Sequence, residues 1–92
     1  MNREAAEILA LEALAFVIAD DRLGPMFLDA SGIGPAELAA RASEPVVMVG
    51  VLSFLTQDDG WIRDFCTASG RAPADPQHAL WALPGGAPVN WT

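Results

Sequence analysis

At 92 residues the chain has room for one domain and no second core, and a chain this short buries only about 60 to 65% of its unfolded surface. An apolar share of 52% and a mean hydropathy of +0.29 exclude a disordered chain, and 17 alanines with no Tyr and no Lys favour closely packed helices. Twelve acids against five arginines give a net charge of −7, a field that repels phosphate backbones and anionic lipid surfaces, so no nucleic acid and no membrane is expected as a direct partner.

Ile8, Leu11, Ala15 and Ile18, spaced by three and four, mark a first helix over residues 3–19, and Leu9, Leu14, Phe16 and Val17 widen its stripe. Only Glu12 interrupts the apolar surface between Ile8 and Ile18, which predicts that the C-terminal half is covered on nearly all sides. Asp20 or Asp21 then supplies a cap. Pro25 suits the first turn of a short second helix, about 24–31, and Gly32 follows as a left-handed stop. Met26, Phe27 and Ala30 are read as the shared face of that helix, flanked by Leu23 and Leu28. Pro35 opens a third helix, with Leu38 and Ala42 on one side and Glu37 paired with Arg41 on the solvent side.

On β-propensity alone the valines between Val46 and Leu55 would make a buried strand. Ser43 with Pro45 two residues on is a helix-start signature, however, and the run overlays the first helix when the chain is aligned with itself, so it reads as the central helix. The uncharged run 45–57 has 13 residues, short of the ~20 that span a bilayer. Asp58 caps a fifth helix in which Trp61 and Phe65 lie one turn apart, as do Ile62 and Cys66, and Gly70 closes it. Pro73 or Pro76 starts a sixth helix carrying His78, Leu80, Trp81 and Leu83. Residues 1–84 form the single helical domain, and 85–92, aperiodic and led by Gly85-Gly86, read as a flexible tail in which only Trp91 could dock.

The phrase Phe27-x-x-Ala30-Ser31-Gly32-x-x-Pro35-Ala36 returns as Phe65-x-x-Ala68-Ser69-Gly70-x-x-Pro73-Ala74, an offset of 38 residues. The same offset pairs Leu14 with Leu52, Phe16 with Phe54, Asp20 with Asp58 and Asp21 with Asp59. An internal repeat is the reading, with reuse of common helix punctuation as the alternative. The expected fold is all-α: a small single-domain bundle of five or six short helices in two pseudo-equivalent halves, 4–43 and 45–83, with the first and fourth helices in contact.

Little in the chain suggests chemistry. The pairs Asp20-Asp21 and Asp58-Asp59 could surround a divalent cation, but each sits where an N-cap is favoured, so capping is preferred and no metal is expected. One histidine, His78, no lysine and no serine in a strand-to-helix elbow leave no acid–base or nucleophilic constellation, and Ser31 and Ser69 read as last-turn residues. Gly85-Gly86 follows no strand and makes no phosphate loop. Neither an enzyme nor a cofactor is expected. Cys66, the single cysteine, reads as a small buried apolar residue, which with the lack of a targeting leader suggests the cytoplasm.

The tryptophans are the candidate contact residues: Trp61, Trp81 and Trp91 are typical interaction anchors, although Trp61 and Trp81 could equally fill core volume opposite alanines. The expected function is a small non-enzymatic helical module acting through a protein partner or as a homodimer. Two alternatives stay open. One is a small apolar-ligand carrier with its cavity between the halves, and the other an acidic inhibitor that mimics nucleic acid.

With Ile8 to Phe16, Phe27-x-x-Ala-Ser-Gly, Pro35 to Ala42, Val51 to Leu55 and Phe65-x-x-Ala-x-Gly, the chain resembles a family of short bacterial helical proteins. That family is found chiefly in alphaproteobacteria and known only as a domain of unknown function. The resemblance covers about Glu4 to Leu83 and implies no reaction, ligand or catalytic residue. Gly34 stands where the family commonly places an acid before the helix-opening proline.

Overall fold

The structure, a computed structural model, describes residues 1–86. Local capping chemistry sets where each helix begins and ends. α1 (Arg3–Ala19) starts where Asn2 Oδ1 accepts the Ala5 N–H at 2.8 Å. Asp20 Oδ1 then accepts from the backbone N–H groups of Arg22 and Leu23, at 2.8 and 2.9 Å, and launches α2 (Leu23–Ser31). α3 (Pro35–Ala40) follows Gly34, which has no side chain to cap it. α4 (Pro45–Leu55) relies on Pro45 in its first turn rather than on Ser43, which makes no capping bond. α5 (Asp59–Ser69) begins where Asp58 Oδ1 accepts the Trp61 N–H at 3.1 Å. α6 (Asp75–Ala82) carries Pro76 in its first turn. Pro73 does not open it, because bonds between Ala72 and Asp75 fold residues 72–75 into a turn first.

The valine run is helix, and no strand occurs among the described residues. α1 and α4 pack directly on each other, α6 lies against both, and α2 contacts both. Ala6, Ala10 and Ala13 of α1 are fully buried, and side chains this small let neighbouring helices approach closely. Leu9 and Val17 of α1, Val51, Leu52 and Leu55 of α4, and Phe65 of α5 complete the centre. Each large apolar side chain buried there contributes about 1.5–3 kcal/mol.

Two expectations about faces are corrected. α2 buries Leu23, Gly24 and Phe27, whereas Met26 and Ala30 point outward, because the helix is held by its i, i+4 pair Leu23 and Phe27. The C-terminal half of α1 is not covered all round: Leu11 and Ile18 are each 44% exposed, and the stripe continues back to Ile8 at 51%. α3, the element on that side, has six residues and buries only Leu38, so it is too short to roof the stripe.

The repeat is visible in space. Phe16 of α1 meets Phe65 of α5 edge-on with ring centroids 5.6 Å apart, and Phe27 of α2 meets Phe54 of α4 at 5.3 Å. Adding 38 turns Phe16 into Phe54 and Phe27 into Phe65, so the two pairs exchange roles between the halves, the reciprocity of an isologous contact. The stops match too. Gly32 (φ 69°) donates its N–H to Leu28 O and Gly70 (φ 75°) to Cys66 O, again 38 residues on. The halves diverge at their third helices, since α6 starts two residues later than α3 would place it.

Candidate interaction surface

Of the three tryptophans, Trp61 is half-buried with its indole stacked on Phe54, centroids 5.0 Å apart and planes 21° from parallel. It fills core volume. Trp81 on α6 is 47% exposed, with the His78 ring 6.2 Å away. Trp91 and the tail beyond Gly86 lie outside the described residues, while Gly85 and Gly86 form a turn closed by the Gly86 N–H on Leu83 O.

A larger apolar surface runs along α1. Ile8, Leu11, Ala15 and Ile18 are all exposed on one side of the helix, opposite the buried set Ala6, Leu9, Ala10, Ala13 and Val17. Beside this stripe lies a furrow of about 380 Å³, walled by Leu11, Ala15 and Ile18 on one side and Leu28, Leu38 and Ala42 on the other. Spacing alone pointed to these α1 residues, but as core. What marks them as surface is that one helix carries two apolar faces and the neighbouring α3 can cover neither end of the second.

Two of the three acids of α1, Glu7 and Glu12, are neutralised within the chain. Arg3 Nε reaches Glu7 at 3.1 Å, and Arg71 forms a two-pronged pair with Glu12, Nε and Nη2 each 2.9 Å from a carboxylate oxygen. The Arg71 hydrogen bonds, aided by its charge and opposed by partial desolvation, hold the Glu12 carboxyl below its ordinary range. The bridge joins α1 to the second residue after α5, tying the two halves together.

Two clefts also follow the repeat. Glu12, Ala15, Phe16, Phe65, Ala68 and Ser69 line one of about 330 Å³. Their counterparts Gly50, Ser53, Phe54, Phe27, Ala30 and Ser31 line another of about 210 Å³. The ion pair that straps the first is replaced in the second by Gly50 and Ile33, which leaves an apolar opening.

The remaining polar groups have local duties. Asp20 and Asp58 cap helices, and no group of three or more His, Cys, Asp or Glu able to hold a metal occurs among the described residues. Cys66 is buried with Sγ 3.4 Å from Ala72 O, and burial, then the charge of Asp75, pushes its thiol up, away from nucleophilic thiolate. No helix among the described residues is long and apolar enough to cross a membrane.

These features define a small all-α domain of two interlocked helical halves with an apolar face left on its longest helix. The chain belongs to the family described as Protein of unknown function (DUF3572), whose model matches residues 3–86. Neither the curated proteins nor the solved structures contain a match to it.

Proposed function

We propose that this chain is a non-enzymatic helical module that acts through protein contacts, and that the exposed stripe Ile8, Leu11, Ala15 and Ile18 of α1 carries them. One observation supports this above the rest: three large aliphatic side chains, each near half exposed, lie in line on one helix beside an apolar furrow. Water does not select such a surface, and a contiguous apolar stripe rimmed by polar groups marks a contact site. Trp81 is a second, separate anchor.

The acidic-mimic alternative is weakened by how the acids are used. Asp20 and Asp58 are caps, and Glu7, Glu12, Glu37 and Glu44 are each paired with arginine. The ligand-carrier alternative is disfavoured at the Gly50 cleft, whose volume of about 210 Å³ falls below the ~300–1,000 Å³ of ordinary ligand sites, but the α1 furrow of about 380 Å³ and the Phe16 cleft of about 330 Å³ lie at the low end of that range and keep it open.

The test is to identify a binding partner by in-cell cross-linking, rebuild the pair from purified components, and compare Leu11→Glu and Ile18→Glu with the parent chain. Affinity should fall at least about tenfold in each variant, with helicity unchanged. Undiminished binding in both variants, with loss only in Trp81→Ala, would move the contact to α6 and sink the α1 assignment.

A further inference from the structure

Resting on the reading of α1 as the contact face, we infer that its occupant is a second copy of this chain, with the two α1 helices antiparallel about a two-fold axis at the level of residue 13. The exposed positions 8, 11, 15 and 18 alternate spacings of three and four, the a/d pattern that keeps one helix edge facing another helix. In the antiparallel arrangement Ile8 lies opposite the partner's Ile18, and Leu11 opposite the partner's Ala15. Each large side chain meets either an equal or the one small residue, and Leu11 gains a hole over alanine that opens into the furrow. A parallel pair would set Ala15 against its own copy and leave a gap where packing is needed.

One pairing of charged ends fits the same orientation. Glu7 and Glu12, on the two flanks of the stripe, are already paired with Arg3 and Arg71, so the edges present no repulsion to an identical helix. At the ends, Glu4 in the first turn of α1 and Arg22 in the turn after it form no ion pair among the described residues. Antiparallel docking brings Glu4 of each copy to the end of the other that carries Arg22 beside Asp20 and Asp21, whereas parallel docking sets Glu4 against Glu4 and Arg22 against Arg22. The net charge of −7 would favour a cationic helix from another protein, but along α1 only Glu4 is left to receive one. A contact of four residues on each copy belongs at the small end of specific interfaces.

The experiment is sedimentation equilibrium of the purified chain across the micromolar range, with the helical circular dichroism of every variant checked. The mass should rise from 9.7 kDa towards twice that value, and Leu11→Glu or Ile18→Glu should return it to the monomer with helicity retained. Glu4→Arg and Arg22→Glu should each weaken the dimer about fivefold, and the double reversal should regain it. A monomer at every concentration overturns the inference and leaves the proposed contact face standing if a different protein binds there through Leu11. A dimer indifferent to Leu11→Glu, or one that the double reversal does not restore, overturns it as well.

Discussion

Gly32 and Gly70 hold φ of 69° and 75°, a region an L side chain enters only with strain, and both end a helix by turning their N–H back to the residue four earlier. Gly32→Ala and Gly70→Ala should each cost about 1 kcal/mol, seen as a drop of roughly 4–8 °C in thermal melts. Gly50 is the opposite case. It lies inside α4 with nothing within 4 Å of an added Cβ, so Gly50→Ala should stabilise by about 0.5–1 kcal/mol through helix propensity alone. A destabilised Gly50→Ala would mean the cleft does not stay open in solution. Asp20 adds a pH signature. Backbone hydrogen bonds from Leu23 and then Arg22 hold its carboxyl below the ordinary 3.8, so its stabilisation is present above that value and lost as pH falls through the lower folded one. Asp20→Asn should therefore flatten the acid limb of a melting-temperature profile. These stops and caps were legible in the sequence because they are chemistry of the backbone itself. The outward turn of Met26 was not, because which side of α2 is buried depends on where α1 and α4 lie.

At the scale of elements, the sequence pattern separated α4 from a strand by its proline start and its overlay on α1, both local properties. The same pattern showed how wide the apolar arc of α1 is, yet not that part of it stays bare, since that depends on α3 stopping after six residues. Arg71 is the residue the sequence reading missed. It lies 59 positions from Glu12, and no spacing rule links them. The pair is two-pronged but partly exposed, 25% and 40% by side chain, so solvent screening holds its value down. A double-mutant cycle with Glu12→Gln and Arg71→Gln should return a coupling of about 1 kcal/mol at neutral pH. Because Arg71 lowers the Glu12 pKa, that coupling is present above the ordinary carboxylate range and should vanish as pH falls through the lowered value. A coupling that persists unchanged at the acid end would mean that Arg71 stabilises by packing rather than by charge.

The whole molecule is held by two halves that exchange aromatic rings. The repeat announced the partners of this exchange, since Phe16, Phe27, Phe54 and Phe65 are all repeat positions, but the swap itself needed the structure: each phenylalanine of the repeated phrase packs on the long helix of the other half. The exchange makes the halves interdependent, so neither half should fold alone. It also sets a graded expectation. Phe27 and Phe65 occupy equivalent places and are both buried, so Phe27→Leu and Phe65→Leu should cost similar amounts, about 1–2 kcal/mol in urea unfolding. Phe54 and Phe16 should differ. Phe54 is buried and also stacks on Trp61, a contact that Phe16 lacks, so Phe54→Leu should cost about 0.5–1.5 kcal/mol more than Phe16→Leu. If the cost at Phe16 equals that at Phe54, the Trp61 stack contributes nothing. Unequal costs at Phe27 and Phe65 would show instead that the second half, gripped by α6 along both α1 and α4, has taken over the core that the repeat built symmetrically.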